Sequence, residues 1–331
     1  MQRWTLDLDT PGWQAAPEAD AVCAAIVAGD LVAVPTETVY GLAADATNGA
    51  ACAKIFEAKG RPQFNPLISH VPSLETALAH GVFNDQALAL AEAFWPGPLT
   101  MVVPKRKTSP ICDLATAGLD TVALRVPDGP VMRFLAEKSG RPLAAPSANR
   151  SGKISPTRAE DVVADLESAL SFVIDAGPCA VGIESTIVGL LDDRPRLLRP
   201  GGIAREEIES VLGLVLLSAD PAMRPDAPAA PGMLSSHYAP NARMILAADA
   251  ATPEDGLLSF GPTPLPGAEH ARAEFNLSPT GNLREAAANL FHAMRFLDST
   301  GAKAIRVQII PNFGLGEAIN DRLQRAAAPR D

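Results

Sequence analysis

Aromatic residues are scarce in this chain: they make up 5% of 331 residues, and only two are tyrosine. That shortage removes the stacking platforms on which single-stranded nucleic acid is held. Basic charge is short as well. Lys and Arg number 28 against 38 Asp and Glu, for a formal net charge of −10, whereas a protein that grips phosphate backbones needs a basic surface. The four cysteines, Cys23, Cys52, Cys112 and Cys179, lie far apart, with no CxxC and no Cys/His cluster. This spacing argues against a zinc site and fits small buried residues of a cytosolic protein. No apolar run is long enough to span a bilayer. The opening MQRWTLDLDTPG lacks the apolar core of a signal peptide, so a cytoplasmic enzyme is expected. There is no Walker A loop and no GxSxG, and Gly314-Leu315-Gly316 does not complete a dinucleotide fingerprint. The five histidines show no metal spacing, so no protein-held metal is expected.

What is present is apolar and patterned. Hydrophobic residues reach 47%, and with so few aromatics the cores must be built from Ala, Val, Leu and Ile. Helical spacing runs over 18–28, with Gly29 as a stop, and over 84–95, 131–137 and 158–166. Strand-like runs cover 31–34, 67–71, 99–103, 121–126, 172–175, 186–190 and 196–198. A mixed α/β domain over 1–218 is expected. Between 219 and 240 the chain carries Pro221, Pro225, Pro228, Pro231 and Pro240. Proline fixes φ and removes donors, so this reads as an extended linker. Strand–helix alternation then resumes over 241–331, predicting a smaller α/β domain of doubly wound, Rossmann-like type.

The densest chemistry lies in PTETVYGL (35–42) and KGRPQFNPL (59–67). Threonine hydroxyls, two cations and an amide gather at strand ends and turns, where a rigid scaffold presents binding groups. Lys59 and Arg61 alone would read as a solvated helix end favoured by the helix dipole. Asn65-Pro66-Leu67 and His70 shift the balance toward a site for phosphates, Arg as a fixed fork and Lys as a mobile charge. In Ser147-Ala148-Asn149-Arg150-Ser151-Gly152, small residues let backbone N–H groups approach an anion. Ser155-Pro156-Thr157 follows, with Thr157 expected to cap the next helix. Ser185-Thr186 opens a strand, and Arg199 precedes a Pro-Gly-Gly turn. Arg125 sits at the end of an apolar strand, where a cation needs a partner, either a substrate carboxylate or a protein Asp.

These segments, together with FWPGPLT (94–100), ALRVP (123–127), STIV (185–188), LRPGGI (198–203), PGMLSSHYAP (231–240) and GLGEAINDRL (314–323), resemble the threonylcarbamoyl-AMP synthases, which are built on a YrdC-like domain. The likeness runs in order along nearly the whole chain and points to the two-domain form. It implies a twisted mixed sheet with a concave cavity. The implied reaction joins L-threonine, bicarbonate or CO2, and ATP into L-threonylcarbamoyladenylate, with release of pyrophosphate. A tRNA threonylcarbamoyl transferase complex would use the product, and Mg2+ would be held mainly through ATP phosphates. By the resemblance, Lys59, Arg61, Asn65, Thr121, Ser147, Asn149, Ser155, Arg199, His237 and Tyr238 would hold ATP. Lys59 and Arg61 would also serve catalysis, while Thr38, His70, Arg125 and Ser185 would surround threonine. Some relatives carry a hydroxyl residue where this chain has Ala145. Lys and Arg often precede the His-Tyr pair, where this chain has Leu234-Ser235-Ser236. The segment 231–240 is expected to lie across the cavity as a lid.

Two other readings compete. A YrdC-like module that binds RNA without catalysis conflicts with the net charge and sparse aromatics. A carbamoyl transferase of the hydrogenase-maturation type would want zinc-finger and acylphosphatase-like modules, and this chain has neither. No membrane association and no stable nucleic-acid binding are expected.

Overall fold

The computed structural model describes residues 1–61, 65–218 and 237–329. Eleven strands form one mixed sheet: β1 (Gln2–Thr5), β2 (Val32–Val34), β3 (Gly41–Asp45), β4 (Ile68–His70), β5 (Leu99–Pro104), β6 (Thr121–Arg125), β7 (Leu143–Ala144), β8 (Phe172–Asp175), β9 (Thr186–Gly189), β10 (Arg196–Arg199) and β11 (Leu217–Ser218). Their spatial order is β1-β8-β2-β3-β7-β4-β6-β5-β9-β10-β11. Every residue of β2, β3 and β4 is buried. Strands covered on both faces read as continuous apolar or small-residue runs, without the alternation that marks a half-exposed strand. For that reason β3, spelled GLAAD and free of β-branched residues, gives no strand signal in the sequence.

Helix boundaries follow local chemistry. Helix Gly49–Lys59 begins at Asn48, whose Oδ1 accepts the N–H groups of Ala50 and Ala51, and ends at Gly60 with φ 60°. Arg61 N–H then returns to the Phe56 carbonyl at 2.9 Å, the six-to-one bond of a left-handed helix end. This closure fixes where Lys59 and Arg61 leave the backbone. Asn84 caps helix Asp85–Phe94 through Ala87 N–H, as its sequence position predicts. Thr157 does not cap the next helix. Arg158 occupies the cap of Ala159–Leu166 with no side-chain bond, and Thr157 N–H instead donates to Asp161 Oδ2 at 3.2 Å. The first-turn acid thus fastens the chain that enters the helix, and no side chain caps the helix itself.

The second sheet is four-stranded and all parallel, in the order β12-β15-β13-β14, with β12 (Arg243–Ile245), β13 (Gly256–Ser259), β14 (Ala273–Asn276) and β15 (Ala304–Val307). The polar spelling of β14, AEFN, hides it from pattern reading. Helices Leu283–Ser299 and Leu315–Ala327 pack on this sheet and on each other. The expected linker lies outside the described residues except for 237–240.

The two sheets share a seam. Val39, Ile154 and Ile183 of the first unit belong to the same apolar cluster as Tyr238, Leu290 and Ile319. Arg205 pairs with both carboxylate oxygens of Glu317, and Arg295 reaches Asp165 at 2.9 Å. Gly182, at φ 75°, lies so close to the helix Leu283–Ser299 that a Cβ there would sit 2.4 Å from Ala288 Cα.

Candidate active site

A cavity opens where β4, β6, β9 and β10 meet the chain around residue 238. Its walls include Thr38, Arg61, His70, Arg125, Ser147, Ser185, Arg199, His237 and Tyr238, all nine expected from the sequence, together with Glu184 and Ala145.

One end is rich in cation. Arg61 is buried and donates from Nε to the Asn65 carbonyl at 3.3 Å and from Nη2 to the Pro66 carbonyl at 3.0 Å. Burial and the neighbouring Arg199 bring its pKa down to about 10. Arg199 donates from Nε and Nη2 to the Ser185 carbonyl, at 3.2 and 2.8 Å, and burial lowers its pKa to about 10 as well. Behind them Lys59 holds the Ser147 carbonyl at 2.6 Å and the Asn149 carbonyl at 2.5 Å. Burial, then Arg61, pushes the Lys59 ammonium well below its ordinary pKa. Neither Lys59 nor Arg61 has a carboxylate within 4.0 Å among the described residues. Cations brought this close repel one another, Arg199 lowering Arg61 and Arg61 lowering Lys59, and an anion between them relieves that repulsion.

The other end is charge-balanced. Arg125 donates from Nη1 to Thr38 Oγ1 at 3.0 Å and from Nε to the Gly97 carbonyl at 3.2 Å. Its Nη2 lies 2.6 Å from Glu37 Oε1, an ion pair without good hydrogen-bond alignment. The partner of this strand-end cation is thus a protein carboxylate, a glutamate rather than an aspartate. Burial opposes the Glu37 carboxylate, but Arg125 and the Asp128 N–H outweigh it and hold its pKa below the ordinary value. His70 sets Nδ1 against the Leu143 carbonyl at 3.3 Å, so Nδ1 carries the hydrogen and Nε2 is left as an acceptor. Burial, then Arg125, lowers its pKa to about 3, which keeps the imidazole neutral.

Ser185 joins the two ends. Its hydroxyl contacts Thr100 Oγ1 at 2.7 Å and accepts from Arg199 Nη2 at 3.2 Å. Five expected residues do not line the cavity. Lys59 acts through the Ser147 carbonyl. Asn149 spends its amide N–H groups on the Arg150 and Lys153 carbonyls and leaves Oδ1 buried without a partner. Asn65 supplies a carbonyl to Arg61. Ser155 donates to Glu184 Oε1 at 2.5 Å. Thr121 stands at the far end of β6 from Arg125, paired with Pro104, about 13 Å along the strand.

Two residues missed in the sequence belong to the site, Glu184 in the wall and Arg322 behind it. Glu184 lies between the second domain's apolar cluster and Ser185, and its Oε2 accepts from Arg322 Nε at 3.0 Å. Burial opposes its charge, but Arg322 and Arg199 bring its pKa down to about 2. Arg322 comes from helix Leu315–Ala327 of the second unit and is fully buried. His237 and Tyr238 are held from the same side. His237 N–H donates to the Arg325 carbonyl at 3.3 Å, Tyr238 stacks on Phe291 with centroids 5.4 Å apart, and Tyr238 takes φ 64°. The proposed lid over 231–240 is described only at these last residues.

The set offers no activated nucleophile. His70 is neutral, and burial raises the Cys179 thiol. The carboxylates are engaged: Glu184 by Ser155 and Arg322, Glu37 by Arg125 and the N–H groups of Asp128 and Gly129. No group of three or more metal-ligating side chains occurs among the described residues. Such a cavity works by holding reactants in place and neutralising charge.

Fold and site together define a two-domain α/β protein of the YrdC-like class, its cavity wall braced from the second domain through Arg322. Comparison with known proteins agrees along the whole chain. A family model described as telomere recombination matches residues 24–201, and one described as threonylcarbamoyl-AMP synthase, C-terminal domain, matches 203–328. The Bacillus subtilis threonylcarbamoyl-AMP synthase is 37% identical, over 99% of this chain and 98% of its own length. The Pyrococcus abyssi threonylcarbamoyl-AMP synthase is 42% identical, over 91% of this chain and 92% of its own. The crystal structure of P. abyssi Sua5 complexed with L-threonine superposes with a TM-score of 0.88 at 38% identity, covering 99% and 98% of the two chains. The chain belongs to the threonylcarbamoyl-AMP synthase family.

Proposed function

We propose that this chain condenses L-threonine, bicarbonate or CO2, and ATP into L-threonylcarbamoyladenylate and pyrophosphate. The observation that carries this reading is the split character of one cavity, with Arg61, whose described partners are all carbonyl oxygens, beside Arg199 at one end and Thr38, His70 and the Glu37-balanced Arg125 at the other. A triphosphate suits the first end. A zwitterion suits the second, its carboxylate toward Arg125 and its hydroxyl toward Thr38 or His70 Nε2. The threonine amine adds CO2 to give a carbamate. A carbamate oxygen attacks the α-phosphorus, and the bond to the bridging oxygen breaks as pyrophosphate leaves. The chain needs no nucleophile of its own for this, consistent with the lack of an activated one among the described residues of the cavity wall.

The donor set fits a metal that arrives with the nucleotide. With Glu37 and Glu184 occupied, Mg2+ would be held by phosphate oxygens and water and would supply charge neutralisation. Lys59 shapes the loop carrying Ser147 and Asn149, so its part in ATP binding runs through backbone carbonyls as well as charge. The product would be a reactive mixed anhydride for a separate transferase that modifies tRNA, a role that suits a cytoplasmic enzyme. No helix among the described residues is long and apolar enough to cross a membrane.

The test is pyrophosphate release from ATP, with threonine and bicarbonate omitted in turn. Omission of either is expected to abolish the signal. Tight RNA binding with no threonine-dependent release would overturn the reading in favour of a non-catalytic RNA module.

A further inference from the structure

The geometry points to Arg322 as a positioning residue for the cavity, supplied by the second domain and acting through Glu184. Three parts of the wall converge on this one side chain. Nε donates to Glu184 Oε2 at 3.0 Å, Nη1 donates to the Pro200 carbonyl at 2.7 Å, and the guanidinium lies 5.5 Å from the centre of the Tyr238 ring. Asp321 anchors Nη1 from the same helix at 2.8 Å. Two of these contacts, Glu184 and Tyr238, line the cavity, and the third lies one step from it. Glu184 precedes Ser185 and accepts the Ser155 hydroxyl, Pro200 follows Arg199, and Tyr238 follows His237. A rigid arginine fork joins these segments into one wall, which a flexible ammonium would not do.

Stability alone is a weak explanation for the pair. A buried ion pair can often be replaced by packed apolar residues at no loss of stability, whereas removing one partner leaves an uncompensated buried charge. The apolar alternative would lose the definite position of Glu184 and of the Pro200 turn. Besides Arg322, the ionisable groups acting on Glu184 are Arg199, Lys59, His237 and Tyr238. Only Arg322 makes a charged hydrogen bond to it among the described contacts.

This inference rests on the proposed reaction, and full-length variants separate the two. If the wild-type chain shows no threonine- and bicarbonate-dependent pyrophosphate release, the proposed reaction fails. Amide exchange then still decides the role of Arg322: exchange across 183–186 and 200–203 should rise in R322M, and unchanged exchange overturns the inference. If the wild type is active, R322M should lose about 10- to 100-fold in kcat/KM for ATP, with R322K recovering part of it. Its activity should fall away below about pH 6, because Glu184, buried without its cation, takes up a proton. E184Q should remove that acid limb. In the E184Q background, R322M should cost less than about threefold more, the signature of two residues acting as one unit. An equal loss in both backgrounds, or an R322M pH profile matching the wild type, overturns the proposal. The E184Q/R322M double variant leaves no buried orphan charge, so the comparison survives if R322M alone folds poorly.

Discussion

The two ends of the cavity are built from the same residue types and do opposite things with charge. At one end Arg125 faces Glu37 across 2.6 Å, so the site is neutral before any ligand arrives. At the other, Arg61 and Lys59 engage only carbonyl oxygens in their described hydrogen bonds, and Arg199 crowds them. Burying a cation is tolerable in both ways, but only the second leaves an electrostatic deficit for a polyanion to fill. Counter-charge, more than cation count, therefore separates a pocket for an amino acid from one for a polyphosphate. Each end also holds an imidazole that burial lowers to a pKa of about 3, His70 at the balanced end and His237 at the other.

Removing the unbalanced cation should break the comparison most severely. Two charged hydrogen bonds to phosphate contribute about 3–6 kcal/mol at 1.5–3 kcal/mol each. Arg61→Ala should accordingly lower kcat/KM for ATP by roughly 10²- to 10⁴-fold while moving the threonine KM much less; steady-state kinetics with each substrate varied would check this. At the balanced end, Arg125→Ala should weaken threonine use by roughly tenfold to over a hundredfold. It should also destabilise the fold by about 3–5 kcal/mol, because Glu37 stays buried and unpaired. Adding Glu37→Gln should restore the melting temperature without restoring threonine use. If the same change to Arg61 destabilised the fold as much, the proposed asymmetry would be lost.

Acid should strain both ends together. The buried imidazoles, lowered to about 3, are neutral in the folded state, whereas unfolded histidine takes up a proton near pH 6.5. Stability should therefore decline as pH falls from about 6.5 toward 3, by a few kcal/mol. The lowered carboxyls of Glu37 and Glu184 add a second loss, beginning below about pH 4.5. Denaturant melts from pH 8 to 3.5 would show the slope, and His70→Asn should flatten its upper part. The smallest effect sharpens the balanced end. Serine differs from threonine by one methyl, about 1–3 kcal/mol, so it should still be used at roughly a tenth to a hundredth of the threonine efficiency. Competition between the two amino acids in the pyrophosphate assay would measure this.

Much of this site was legible because its residues break local patterns. Arg125 ends an apolar strand, and Arg61 follows a helix-ending glycine and precedes a proline. The residue that balances Arg125 was visible inside Thr36-Glu37-Thr38, but nothing local says that β6 brings the arginine across to it. Glu184 and Arg322 escaped for a similar reason, since their pairing spans 138 positions. Arg322 did leave a trace. It falls on the buried face of its helix with Ile319, Leu323 and Ala326, and a cation on an apolar face asks for a partner. The strands β3 and β14 left none, because the first is small-residue throughout and the second is polar, and tertiary pairing decided both.

Gly182 shows how far such dependence reaches. The residue does no chemistry, yet a single added methyl would drive a wedge into the backbone at Ala287 and Ala288 and strain its own φ of 75°. Two positions further on is Glu184. A hydrogen-to-methyl exchange at this hinge pin would thus pry apart the halves of the enzyme beside its working surface, and a mutation invisible to any catalogue of catalytic side chains would silence the chain.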